Sequence, residues 1–409
     1  MSSLVTRVLK VHRVLKHQQL SRAISIAIGL MAGQGILLVL PFTMSIEDFA
    51  KLASMLAISQ LIGTIGSFSL EITCPRLSVA WKRAVYSSLI SIFLAAAAVV
   101  PTLADEFSIK YLYGIALAWI VTFTNILHSY ALFSGNARLY AKIGLTKAAT
   151  FLFAFVALKY FGMEIIACWL LAASSALLVI SKILSNAKIS SLCNPQNVTW
   201  QQILKFSTPS AVVVAIGTLP FVFDRALAQE LLSTTDFARY ALAVTWAAPL
   251  LYLGNIVTNS IVSSVPVVSS LGLLRWMLAL AGASTAYILI ITFCVYWFIP
   301  MPFFDGFADF FSLWLPIAIY FLVYATISAP TAAVVQKSFE ARKLIKLAYV
   351  MGGNALAFLG LCYFMWTISG ENLSNVSSST VVLISMLIAF VGIFPKVVMV
   401  LRHVRNHGE

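Results

Sequence analysis

The sequence predicts an all-α polytopic membrane protein, with about 12 transmembrane helices in two parallel-repeat six-helix bundles around a central cavity. Three observations lead there. The 409-residue chain is 61% hydrophobic and only 10% charged, with a mean hydropathy of +0.95, whereas an ordinary soluble domain carries about 25% charge. Apolar runs of roughly 18 to 25 residues recur throughout, the length a helix needs to cross ~30 Å of hydrocarbon. A short polar phrase, SIEDFAKLA from Ser45, returns 188 residues later as STTDFARYA from Ser233. The short alternating segments of a transmembrane barrel do not occur.

Residues 1–22 form a basic cytoplasmic segment in which Leu4, Val8, Val11 and Leu15 interleave with Arg7, Lys10, Arg13 and Lys16. That pattern suits a helix lying on an anionic membrane surface or a solvated tail, and it lacks the layout of a cleaved signal peptide. The N-terminal bundle, 23–188, holds spans at 23–44, 51–74, 84–103, 111–133, 143–161 and 164–184. A cytoplasmic linker, 189–206, leads to the C-terminal bundle, 207–401, with spans at 207–228, 239–264, 273–299, 310–335, 345–367 and 379–401. Residues 402–409 are a cytoplasmic tail.

With both termini in the cytoplasm, 22 of the 27 Lys and Arg residues lie on the cytoplasmic side, Lys396 counted among them. The positive-inside rule thus sets the orientation. It also accounts for the net charge of +13, so the charge does not point to nucleic acid. The five cysteines stand singly, without the spacing of a zinc site or a disulfide framework. Outer connections are short, which leaves no room for a catalytic loop, and no Gly-rich phosphate loop or ligand cluster occurs. The chain reads as a non-enzyme, with no catalytic residue, metal or bound cofactor.

The repeated phrase opens span 2 and span 8 on the same side, six spans apart, so the two bundles share one orientation. Repeats related by an axis along the membrane normal mark transporters whose halves rock around a central cavity. Locally the phrase serves structure: Ser45 and Ser233 suit helix caps, and Asp48 and Asp236 fall in the first turn, against the positive end of the dipole.

The chain also resembles a known family. A first span closed by Pro41, the acidic phrase with Phe49, a second span ending in SLEITCPR, and the second-half segment LPFVFDRALAQELLS are similar to the Wzx-type O-antigen flippases. These belong to the multidrug, oligosaccharidyl-lipid and polysaccharide exporter superfamily. Ala50 and Ala238 stand where that family usually has Gly. The resemblance implies a V-shaped pair of six-helix bundles in a bacterial inner membrane, with a polyprenyl-pyrophosphate-linked oligosaccharide as cargo. Membrane lipids surround it, and a polysaccharide polymerase and chain-length regulator are implied partners.

Ionisable groups inside spans cost about 2.5–3.5 kcal/mol or more, so each is a functional candidate. Asp224 and Arg225 lie in the outer half of span 7, where the family commonly has an Asp-Arg pair. Arg225 would meet the anionic pyrophosphate or sugar acid. Asp224 would tune it or carry a coupling ion, H+ or Na+. The plain alternative is an interface pair snorkelling to water. Glu71 and Arg76 close span 2, and Arg138 follows span 4 within SGNARLYAK; each Arg equally suits a cytoplasmic anchor. His128, midway along span 4, is a second coupling candidate, or a hydrogen-bonded bundle residue. Asn255 and Asn259 share one face of span 8 at i, i+4 and suit a hydroxyl-rich cargo or an interhelical bond. Gln34, Gln60, Asn125, Gln336 and Asn354 add further uncharged polar groups.

The leading expectation is therefore a lipid-linked oligosaccharide flippase for surface-polysaccharide biosynthesis, working by alternating access. The nearest rival is a drug or cation antiporter of the same superfamily, which would lean on membrane acids. A membrane glycan polymerase or ligase ranks below both, because it needs the long outer loop this chain lacks.

Overall fold

A computed structural model describes residues 24–25, 27–28, 45–103, 109–134, 136–146, 148–149, 198–264, 270–298, 310–369 and 378–407. Some side chains within its helices, that of Asp224 among them, fall outside this description. Ten helices are delimited: α1 Ile46–Gly66, α2 Leu70–Arg76, α3 Trp81–Leu103, α4 Ile109–Phe133, α5 Trp200–Leu231, α6 Thr234–Ser264, α7 Ser270–Phe298, α8 Phe310–Ser338, α9 Ala341–Ser369 and α10 Ser378–His407. Residues 137–146 are helical as well. The protein is an all-α polytopic membrane protein. The basic segment 1–22, the spans at 23–44, 143–161 and 164–184, and most of the linker lie wholly or mostly outside the described residues.

The two copies of the polar phrase adopt the same local geometry. Ser45 Oγ accepts the Asp48 amide at 3.1 Å, and Ser233 Oγ accepts the Asp236 amide at 3.2 Å. Each cap hydroxyl also donates back to the carboxylate, at 2.8 and 2.7 Å. Lys51 stands 3.8 Å from Asp48 and Arg239 stands 3.6 Å from Asp236. These exposed ion pairs add little, but the caps satisfy orphan amides that otherwise cost about 1 kcal/mol each.

Three boundaries differ from the sequence reading. Span 2 is a broken helix: α1 ends at Gly66, the chain turns through Phe68 and Ser69 at φ 48° and 52°, and α2 resumes at Leu70. Close packing accompanies the break. A Cβ on Gly66 would lie 2.8 Å from Ile92, so α1 and α3 touch at that residue. The first helix of the C-terminal half starts at Trp200, inside the expected linker, because Thr199 and Gln202 form a capping box. The last helix runs on to His407, since Val404 is buried and His403 bonds Lys343 at 3.2 Å.

Apolar surface is distributed as a bilayer demands. Four described stretches are long and apolar enough to cross a membrane, Ile46–Arg76, Thr234–Val262, Gly272–Cys294 and Ser312–Gln336. The stretch at 272–294 is only 11% buried, against 67% for 312–336. On α7 the side chains of Leu278, Leu289, Ile290, Phe293 and Trp297 are all exposed, and lipid tails, as apolar as Leu, are their natural solvent. The core centres on α6 and α8, around Tyr240, Leu250, Trp314 and Phe321. At the Ser45 end it draws in Phe49, Ala50 and Ala53 of α1 beside Phe237, Ala238 and Ala241 of α6. The small residues at 50 and 238 let the two repeated segments pack close.

Candidate functional site

Of the polar groups singled out in the sequence, Arg225, His128, Asn259 and Arg76 meet on the face where the first four helices pack against the last six. Helix α1 packs on α5 and α6, α2 on α5, and α4 on α6. Three polar ties among these groups cross that face, and Arg83 on α3 adds another contact, donating to the Val198 carbonyl at 2.8 Å and standing 4.6 Å from the Trp200 ring centroid.

The first joins Arg225 to Gln60. Arg225 is half-buried on α5, and its Nη1 donates to Gln60 Oε1 on α1 at 3.2 Å. Arg225 lies six residues, roughly 9 Å, from the end of its helix, whereas Gln60 lies 14 residues, roughly 21 Å, into its own. The bond forms because helical side chains lean toward the N-terminus, which sends the guanidinium inward along α5. An arginine near a span end thus presents its charge well inside the bundle.

The second tie links His128, Tyr140 and Asn259. His128 is buried on α4 and stacks on the Tyr140 ring, with centroids 4.3 Å apart. Asn259 Nδ2 on α6 then donates to the Tyr140 hydroxyl at 3.4 Å. Asn255, one turn before Asn259 on the same face, is exposed.

The third tie lies at the end opposite Ser45. Arg76 Nη2 donates to the Phe339 carbonyl at 2.6 Å, and its guanidinium stands 5.5 Å from the Phe206 ring centroid. Arg76 therefore spends its charge across the interface and makes no ion pair with nearby Glu71. Glu71 Oε1 accepts a long bond from Ser67 at 3.5 Å, and its buried Oε2 bonds to no described residue. Arg138 is exposed and takes part in none of the three ties. The side chain of Asp224 lies outside the described residues.

Sequence reasoning missed Tyr140, Phe206, Phe339 and Lys396. Phe339 contributes a backbone carbonyl, which no side-chain pattern reveals. Tyr140 lies within SGNARLYAK, where attention went to Arg138. Lys396 was counted as a cytoplasmic anchor, although the predicted span 379–401 encloses it. It is only 6% exposed and points into the bundle. Chemically, the face between the halves offers a guanidinium, amides, a phenol and an imidazole. These groups bind anions and hydroxyls.

No family model matches the sequence, and no curated protein matches it. Solved structures do. A multidrug resistance MATE family transporter of the MOP superfamily, in an outward-facing conformation, superposes with a TM-score of 0.58 at 13% identity, covering 96% of this chain and 97% of that one. This is the MATE-transporter fold. A Vibrio cholerae MATE transporter gives a TM-score of 0.59 at 13% identity, with 97% and 98% covered. A MOP superfamily transporter from Pyrococcus furiosus, described as having a binding pocket of reverse polarity, gives 0.53 at 14% identity, with 97% of both chains covered. The MATE fold thus accounts for the whole chain, and at such identities it speaks for architecture alone.

Proposed function

We propose that this protein is a flippase that moves a polyprenyl-pyrophosphate-linked oligosaccharide from the cytoplasmic to the outer leaflet of a bacterial inner membrane, by alternating access. The observation that carries the reading is the Arg225–Gln60 bond at 3.2 Å on the face between the halves. A guanidinium on this face can make charge-assisted, bidentate hydrogen bonds to an anionic headgroup. Asn255 and Asn259, a turn apart on α6, suit the hydroxyls of a glycan. A sugar-phosphate headgroup cannot shed its hydration into hydrocarbon, and such a polar face replaces the lost water. The halves would divide at the linker, with the Ser45 end outside. The polymerase and chain-length regulator of surface-polysaccharide synthesis would act on the product.

A second reading is a cation or drug antiporter. Glu71 favours it, with one buried carboxylate oxygen that bonds no described group.

The deciding experiment deletes the gene in its host and locates the lipid-linked oligosaccharide by lectin access in spheroplasts. Accumulation on the cytoplasmic leaflet, relieved by the wild-type protein and not by Arg225→Ala, supports the flippase. Full-length lipid-linked repeats reaching the outer leaflet unpolymerised would overturn it.

A further inference from the structure

Lys396 is a fully enclosed cation that none of the preceding roles uses. Its ammonium donates to the Ser328 carbonyl at 3.2 Å and to Ser328 Oγ at 3.1 Å. Both residues lie 18 positions into their helices, α10 and α8, at the same depth of roughly 27 Å along each. Above and below stand apolar layers: Ala389 and Ile393 belong to one core cluster, Val400 and Val404 to another. A proline adjoins each partner, Pro395 beside Lys396 and Pro330 two residues after Ser328. Both prolines interrupt the helical hydrogen-bond ladder at this level.

An ammonium placed this deep normally has a carboxylate beside it. Among the described side chains from Trp200 onward the acidic ones are Asp236 and Glu340. Asp236 opens α6 and Glu340 lies between α8 and α9. Asp224 and Glu230 also lie on α5, with side chains outside the described residues. The described charged and titratable groups on the elements packed against α10 are otherwise basic or phenolic, apart from the Cys294 thiol on α7. They are Lys205 and Arg225 on α5, Arg275 and Tyr287 on α7, Tyr320 and Tyr324 on α8, and Arg342, Lys343, Lys346 and Tyr349 on α9. On α10 itself stand Arg402, His403 and Arg405.

The partner chosen instead can serve either protonation state. A serine hydroxyl accepts from an ammonium and donates to a neutral amine, so loss of the proton reverses one hydrogen bond without orphaning either group. Ser328 in turn bonds Tyr324, whose hydroxyl donates to the Gly217 carbonyl on α5. Two turns along α5 from Gly217 is Arg225, which bonds Gln60 in the other half. A hydrogen-bonded line thus runs from α10 through α8 to the helix that ties the halves together.

We propose that Lys396 is a proton-binding site. Its ammonium gives up a proton to water and regains it, and the accompanying reversal of the Ser328 hydroxyl is passed through Tyr324 to α5, which biases the face between the halves. This rests on the alternating-access reading above and names H+, held by a lysine, as the coupling ion.

The test measures distances between spin labels in the full chain, reconstituted in lipid nanodiscs with its native cysteines replaced. One pair, Lys51→Cys with Thr235→Cys, reports the Ser45 end, and Lys142→Cys with Glu340→Cys reports the other. Samples span pH 5 to 10, with and without a polyprenyl pyrophosphate. The distances are expected to change with pH in one titration. Lys396→Arg should hold the low-pH distribution and Lys396→Met the high-pH one. Ser328→Ala, which retains the lysine and guards against misfolding of the other variants, should move the midpoint to lower pH. A pH response unchanged in Lys396→Met, or abolished by His403→Gln, overturns the proposal. Halves that move with the polyprenyl pyrophosphate but not with pH overturn it and leave alternating access standing. Halves that move under neither condition sink both.

Discussion

Arg225 and Gln60 stand 165 residues apart in sequence and 3.2 Å apart in space, one from each half of the molecule. The bond is charge-assisted, and its acceptor is neutral. Arg225→Lys keeps the charge and loses the planar fork, so it should retain part of the transport that Arg225→Ala abolishes. Gln60→Ala should reduce transport less than tenfold, since the guanidinium survives. The check is the rate at which each variant restores outer-leaflet oligosaccharide in the deletion host.

At the Arg76 end one guanidinium meets the Phe339 carbonyl and the Phe206 ring, and a second, that of Arg83, donates to the Val198 carbonyl. A hydrogen bond from a charged donor contributes about 1.5–3 kcal/mol. Arg76→Ala should therefore shift the population toward an opening at that end by roughly tenfold or more. Asn255→Cys, on a cysteine-free background, should react faster with an impermeant maleimide added from that side. An unchanged rate would show that Arg76 does not hold the end shut.

The equivalent caps should behave alike. Ser45→Ala and Ser233→Ala each remove one acceptor for a first-turn amide and should each lower stability by about 1 kcal/mol. Thermal unfolding in detergent measures this. Transport by the folded fraction should be unaffected, because the caps act at the helix start.

Gly66 is the most sensitive of the described glycines. A methyl group there would lie 2.8 Å from both Cα and Cγ1 of Ile92, whereas one on Gly353 would meet nothing within 4 Å. Gly66→Ala should destabilise by about 1–3 kcal/mol through overpacking. Gly353→Ala should be neutral or slightly stabilising. The two melting curves, compared side by side, decide it.

Span positions were legible because the bilayer imposes a length and a polarity on any helix that crosses it. Nine of the predicted spans coincide in place with described helices, and the caps at Ser45 and Ser233 follow from local chemistry alone. The break at 67–69 was less legible: SFS carries no Pro or Gly, yet Phe68 and Ser69 take positive φ. The strain falls where α1 is pressed against α3 at Gly66, and that contact is tertiary.

The sequence by itself determined that this chain is an all-α membrane protein, because hydrophobicity, span length and helix capping act within one segment. It also marked Arg225, Arg76, His128 and Asn259 as costly or unusual groups within or at the ends of apolar runs. Only the tertiary structure decided what those groups touch. Gln60 for Arg225, Tyr140 for Asn259 and the Phe339 carbonyl for Arg76 are partners supplied from the opposite half, and sequence periodicity carries no information about which faces of two distant helices will meet. Lys396 shows this most plainly. Near the end of an apolar run a lysine can equally snorkel to water or turn inward, and the Ser328 oxygens at matching depth on a neighbouring helix turned it inward.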